Sequence, residues 1–396
     1  MTGGTRRNPV LASLSLLTAA ALYGLPFLQI APNRLVSGQP IYFGTVAPVA
    51  DYLLHVLLLL LLLLLLVSTL ACFFKPTRVC LYASLLTAAL AIPGVVWLAA
   101  SQASLSLQSE SPIARALLGS AFWVALVLLS LTASSALQQL RASALQFALV
   151  CAALVWAVGL LLASGVCDDL SLMKEYANRA DSFGQVIARH VQIVLLALTC
   201  TLALGLPLGW AAHAQPKASG ALLSVLNIIQ TIPSIALFGL LMAPLALLAA
   251  SLPVLSRAGI SGVGLAPAVI ALTLYGLLPV VRGTLAGLQQ VPSAMVQAAR
   301  ALGLTHFQTL VYIELPLALP VLLGGVRTAA ASSVGLAAVT ALIGAGGLGS
   351  VLFEGLFANA QDLVLLGVLP IIALGVVVNA LFNFAIVLAR RRVRPW

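Results

Sequence analysis

The chain has 396 residues, of which 62% are hydrophobic and 7% charged, with a formal net charge of +10. A soluble domain carries roughly a quarter charged residues, so this composition excludes a water-soluble fold and makes lipid the solvent for most of the chain. The basic excess is dispersed and forms no soluble patch, which excludes nucleic acid as a partner.

Ten apolar runs approach the ~20 residues that cross a bilayer as helix. In chain order they are 11–30, 52–74, 80–99, 116–136, 144–163, 186–212, 221–250, 266–289, 317–343 and 363–389. Open β-structure would leave backbone groups unpaired in hydrocarbon, and alternating strand patterns are absent. The expected fold is an all-α polytopic membrane protein of about ten transmembrane helices. The first run follows Arg6 and Arg7 but has no small-residue cleavage site, and reads as a retained signal-anchor. The second contains ten consecutive leucines, Leu57 to Leu66, a lipid-facing filler.

An even number of spans puts both termini on one side. A cytoplasmic N-terminus places twelve basic residues inside, Arg6, Arg7, Arg390, Arg391, Arg392 and Arg394 among them, and six outside. That is the positive-inside bias of an inner-membrane protein. Eight of the nine acids then fall outside and only Glu314 inside.

Residues 165–183 are the most polar connection and divide the chain. The expected organisation is an N-terminal accessory region of five helices (1–165), an external connection (166–183), a C-terminal five-helix transmembrane domain (184–389) and a basic tail (390–396). Asp168, Asp169, Glu175 and Asp181 in the connection read as a solvated loop rather than as paired catalytic carboxylates. The first half has little polarity inside its spans. The second places Gly, Pro, Gln, Thr and Asn within them, and polar groups in lipid mark packing contacts or pathways.

The stretch 291–316 joins two spans. Ser293 to Leu302 reads as a short helix rich in small residues, with Ala294, Ala298, Ala301 and Leu302 on one face. Gly303 stands where a helix stops. Thr305 with Gln308 makes a capping-box pattern that starts a second helix, ended by Pro316. The product is a cytoplasmic helix–turn–helix elbow that another protein can approach closely.

The spacing Gln297-Ala298-Ala299, three residues, Gly303, nine residues, Ile313-Glu314-Leu315-Pro316 resembles the EAA loop of ABC importer permeases. In that family the loop is the coupling helix that docks into the ATPase subunit. The resemblance therefore implies an ATPase-coupling role for Gln297, Ala298, Ala299, Gly303, Ile313, Leu315 and Pro316. Gln297 departs from the usual Glu. Gln230-Thr231-Ile232-Pro233-Ser234, Leu274-Tyr275-Gly276-Leu277-Leu278-Pro279 and residues 342–349 are similar to permeases for glycine betaine, choline and related osmoprotectants, over roughly residues 184–389. The extra N-terminal helices resemble YehY-type members. The implied fold of the second half is the five-helix type I (MetI-like) core.

Asn227, Gln230, Thr231 and Ser234 fall at i, i+3, i+4 and i+7, one polar stripe on an apolar helix that Pro233 loosens. With Tyr275 they either line a translocation path for a polar solute or hydrogen-bond neighbouring helices together. Arg327 lies inside a span, as a structural anchor or a repulsive gate for cations. Asn379 and Asn383 read as interhelical contacts. Residues 344–349 satisfy G-x-G-x-x-G, but they follow a membrane span rather than a strand, so a tight bend is expected instead of a nucleotide site.

No G-x-x-x-x-G-K-[ST] phosphate loop occurs. Five cysteines and four histidines are scattered without metal-ligand spacing. The resemblance implies no cofactor in this chain and ATP bound by a partner ATP-binding subunit. It also implies an external substrate-binding protein and a second permease copy or related permease. The expected function is the permease subunit of an ATP-driven importer for glycine betaine or choline-type osmoprotectants, multi-pass in the inner membrane, not an enzyme. The alternatives are a permease for methionine or another amino acid, an ion-coupled secondary transporter, or a membrane-embedded transferase.

Overall fold

The computed structural model describes residues 9–33, 36, 38–43, 52–75, 77–257 and 259–393. Arg6, Arg7 and Arg394, which entered the charge comparison, lie outside the described residues. The chain divides between Asn178 and Arg179 into two compact units. Among the described residues, nine helices are long and apolar enough to cross a membrane.

The first unit runs α1 (Val10–Gly24), β1 (Pro26–Ala31), β2 (Gln39–Tyr42), α2 (Tyr52–Phe74), α3 (Arg78–Leu107), β3 (Arg115–Leu118), α4 (Ser120–Gln139), α5 (Ala144–Ala163) and α6 (Ser171–Ala177). The expected first span, 11–30, is divided. α1 has 15 residues, about 22 Å of helix at the usual rise, and Pro26 follows it and opens a strand. The expectation of no strands is corrected as well, because β2-β1-β3 form a small antiparallel sheet. β1 supplies Phe27 and Leu28, both fully buried in one cluster with Phe43 and Phe122.

Helix association in lipid rests on close packing rather than on a hydrophobic drive. Along α3, Ala88, Ala91, Val95 and Ala99 are completely buried against Ala125 and Leu129 of α4 and their neighbours. Hydroxyls inside the unit find partners: Ser15 Oγ lies 2.6 Å from Thr69 Oγ1, and Ser84 donates to Ser68 Oγ at 3.2 Å. The connection after α5 is not wholly solvated as expected. Glu175 is buried, 3.9 Å from the Arg115 guanidinium, while Asp169 pairs with Lys174 at 3.7 Å.

The second unit runs α7 (Ala180–Ala214), α8 (Pro216–Thr231), α9 (Ser234–Ser251), α10 (Pro253–Arg257), α11 (Leu265–Gln289), α12 (Ser293–Ala301), α13 (His306–Thr309), α14 (Leu315–Val339), α15 (Leu348–Phe357) and α16 (Gln361–Val393). α11 is its spine, packed by α7, α8, α9 and α14. Gly283 of α11 sits so close to Gly325 of α14 that a Cβ there would lie 2.8 Å from the Gly325 Cα. Residues 344–347 form the expected bend: Gly344, Gly346 and Gly347 all have positive φ before α15 opens.

Candidate coupling elbow and broken helix

α12 ends in a Schellman motif. The Gly303 N–H donates to the Arg300 carbonyl at 3.0 Å, and the Leu304 N–H donates to Ala299 at 3.2 Å. This geometry requires a left-handed residue, and Gly303 adopts φ +85°. Two residues on, the expected capping box is present. The Thr305 N–H donates to Gln308 Oε1 at 2.8 Å, and the Gln308 N–H donates to Thr305 Oγ1 at 3.3 Å. Arg300 reaches across the corner to His306 Nδ1 at 3.2 Å.

The second limb departs from expectation. It does not end at Pro316 but continues through a π-helical turn, Leu310–Glu314, into α14. Proline has no N–H, and its ring clashes with the carbonyl four residues back, here Tyr312. In the wider turn the Leu315 N–H donates five residues back to Leu310, which opens the helix where Pro316 enters it. The elbow is thus joined to a span without an intervening loop.

The expected coupling residues divide by environment. Gln297, Ala298, Gly303, Leu315 and Pro316 are exposed, Ile313 is half-buried, and Ala299 is buried against the elbow's own second limb. The expected small face of Ala294, Ala298, Ala301 and Leu302 is exposed throughout. Large apolar side chains also stand out from this segment: Leu302 is 82% exposed, Phe307 72% and Tyr312 67%. Sequence reasoning missed Phe307 and Tyr312. Their signal is that they are large apolar residues interleaved with Arg300, His306 and Gln308.

The polar stripe is reorganised. The expected single helix over 221–250 is broken: Ile232 and Pro233 are extended, at ψ 126° and 138°, between α8 and α9. Ser234 therefore starts a new helix and leaves the stripe of Asn227, Gln230 and Thr231. Proline disfavours helical backbone at the residue before it, which accounts for a full break rather than a kink. Tyr275 on α11 braces the break from both sides. Its hydroxyl donates to the Ile232 carbonyl, and its own carbonyl accepts from Gln230 Nε2 at 2.8 Å. Arg282, one helical stretch further along α11, donates to Asn227 Oδ1 at 2.8 Å. Thr231 returns its hydroxyl to Ile228 in its own helix. Elsewhere in the unit, Arg327 of α14 donates to Asn383 Oδ1 of α16, an interhelical contact of the kind expected of Asn383.

A transmembrane unit of five spans that carries an exposed helical elbow and one broken helix defines a class, the membrane subunits of solute transporters. Residues 202–395 match the family described as "Binding-protein-dependent transport system inner membrane component", and residues 6–173 match "ABC transporter permease YehY, N-terminal domain". The chain is 37% identical over 218 residues to the osmoprotectant import permease protein OsmW of Salmonella typhimurium, covering 55% of this chain and 96% of that protein. It is 31% identical over 206 residues to the glycine betaine/carnitine/choline transport system permease protein OpuCB of Bacillus subtilis, covering 52% and 86%. The inward-facing MetNI methionine ABC transporter is similar at 24% identity, with a TM-score of 0.43, over 52% of this chain and 94% of that one. The chain belongs to the binding-protein-dependent ABC importer permeases, with a YehY-type N-terminal region.

Proposed function

We propose that this permease carries glycine betaine, choline or a related quaternary amine inward, driven by ATP that a separate ATP-binding subunit hydrolyses. The named relatives transport osmoprotectants of this kind, and the extent of the match to them supports the substrate class. Substrate would arrive on an external binding protein, and a second copy or a related permease would complete the path. The elbow and the C-terminus face the cytoplasm in this reading, by the excess of basic residues on that side.

The elbow receives the force. Leu302 and Phe307 project from a corner held by a Schellman motif, a capping box and the Arg300–His306 bond. Exposed apolar side chains amid charged and polar neighbours fit a protein groove better than they fit lipid. α13, the π-turn and α14 form one continuous rod, so movement of the elbow reaches the spans directly. The broken helix is the proposed path. Gln230 and Thr231 are exposed beside the extended Ile232–Pro233 segment, and Ser234 and Tyr275 border it. Irregular backbone at membrane depth is tolerated where it lines a cavity or is buried in protein.

Leu302→Asp places a charge at the most exposed apolar position of the elbow without touching the membrane core. ATP-dependent uptake of radiolabelled glycine betaine should fail in proteoliposomes that hold the variant, the ATP-binding subunit and the binding protein. Co-purification of the ATP-binding subunit should be lost with it. Uptake and association at wild-type levels would remove the elbow from the mechanism, and uptake of methionine in place of glycine betaine would overturn the substrate.

A further inference from the structure

The first unit carries a feature outside the proposed coupling elbow and path. α5 meets the rest of its unit along one seam, Leu154, Val158 and Leu161 at i, i+4 and i+7, and none of its apolar span is buried. Beside that seam a crevice runs along α3 and α5 in three stretches of about 310, 560 and 690 Å³, the first walled also by Leu137 of α4 and the third by Leu57, Leu58 and Leu61 of α2. Tyr82 and Val150 line both the first and the second stretch, and Pro93 and Ala157 both the second and the third, so each stretch adjoins the next. Along α3 the lining extends from Tyr82 to Trp97, about 22 Å of helix. That exceeds the ~15 Å of hydrocarbon in one leaflet, half of a ~30 Å core. The walls are apolar apart from Tyr82 and Gln146 at one end and Ser164 at the other.

The Tyr82 end is positive. Lys75, Arg78 and Arg141 are exposed there, and none of their side chains has a hydrogen-bond or ion-pair partner among the described residues. Arg78 lies one turn before Tyr82 on α3, and Ala142, next to Arg141, lines the crevice together with Tyr82. The described acids of this unit, Glu110, Asp168, Asp169 and Glu175, all follow the far ends of α3 and α5.

Arg141 itself is an anomaly. α4 ends in a Schellman motif, with the Arg141 N–H on Gln138 and the Ala142 N–H on Leu137, each at 3.0 Å. Arg141 occupies the left-handed position at φ +53° that glycine normally fills. A side chain there is disfavoured by contact between its Cβ and the backbone, so a cation is held where the fold alone would favour glycine.

We propose that the α3–α5 crevice binds an anionic phospholipid, its phosphate between Arg78 and Arg141 and an acyl chain along the two helices. The test is native mass spectrometry of the detergent-purified full chain, offered phosphatidylglycerol and phosphatidylcholine with the same acyl chains. Phosphatidylglycerol should be retained in preference. R78Q/R141Q should weaken its retention about thirtyfold, at roughly fivefold per cation, with an unchanged circular-dichroism spectrum. Ala157→Trp, which fills the crevice and keeps both arginines, should also reduce it. R141G separates ligand from fold: thermal stability should rise as the φ strain is relieved while lipid retention falls. Glycerol phosphate alone should not bind. Equal retention of the two lipids, full retention by R78Q/R141Q, binding of glycerol phosphate as tight as that of the lipid, or a second copy of the chain seated on α5 would each overturn the assignment.

Discussion

Gly303 offers a perturbation in which backbone strain and steric bulk can be separated. It lies at φ +85°, and a Cβ built there meets no heavy atom within 4 Å. Alanine at this position would therefore clash with nothing and suffer only the left-handed penalty, about 1–2 kcal/mol. Asparagine and aspartate tolerate this conformation far better. In the Gly303→Ala variant a free elbow can relax at the corner. A docked one cannot, because the Schellman bonds from Gly303 and Leu304 fix the angle between its limbs. The strain should then appear in the affinity for the ATP-binding subunit, as a loss of about 5- to 30-fold for Gly303→Ala. Gly303→Asn should lose markedly less than Gly303→Ala, since its short polar side chain visits this conformation far more readily. Gly303→Asp should be as unstrained as Asn, and any further loss would report the charge alone. Affinities can be measured by surface plasmon resonance in detergent, alongside ATP-dependent uptake. Equal behaviour of Ala and Asn would refute the claim that docking needs the left-handed corner.

Further outcomes follow from other residues. Tyr275→Phe removes the donor to Ile232 and leaves that carbonyl unpaired at the helix break; thermal stability in detergent should fall by about 1–3 kcal/mol, and an unchanged melting temperature would show that the brace is idle. Cys167 is fully buried in the connection after α5, and burial pushes its thiol up, with the Asp168 carboxylate adding to the rise. Because a raised pKa means less thiolate at neutral pH, Cys167 should resist a membrane-impermeant maleimide at pH 7 and label faster as pH rises; rapid labelling at pH 7 would contradict this. Pro316→Ala restores an N–H that can donate to Tyr312, so the π-turn should close to α-helix. Closing it rotates the elbow by about 100°, one residue's turn; uptake should drop while helix content and stability hold or rise, and wild-type uptake would show that the elbow's angle is unimportant.

Local signals carried much of the fold. Long apolar runs define spans because hydrocarbon leaves the backbone no partner but its own helix, and five of the nine long apolar helices fall in the second unit where five were expected. The strand β1 was hidden for a physical reason. Pro26–Ala31 is a short apolar stretch continuous with α1, and periodicity cannot distinguish a six-residue apolar strand from buried helix. Its identity as a strand comes from its partners at Gln39–Tyr42 and Arg115–Leu118, the latter more than eighty residues away. Glu175 was misjudged for the same reason, since its ion-pair partner Arg115 lies far from it along the chain.

The candidate site divides along the same line. The elbow was legible because each of its devices is satisfied within a few residues: Gly303 for the left-handed corner, Thr305 with Gln308 for the capping box, and small residues on the outer face of α12. The broken helix was not, because the stripe at Asn227, Gln230 and Thr231 is equally consistent with a path and with packing until its partners are known. Those partners, Tyr275 and Arg282, sit 45 and 55 residues away along the chain. Once they are in place, the packing contacts are explicit, and the proposed path is compatible with them. A break that exposes polar groups to a solute must have its freed carbonyls satisfied from elsewhere, and Tyr275 does so for Ile232 while fastening Gln230. The proposed path therefore requires the same packing contacts, and a variant that loses the brace should lose transport together with stability.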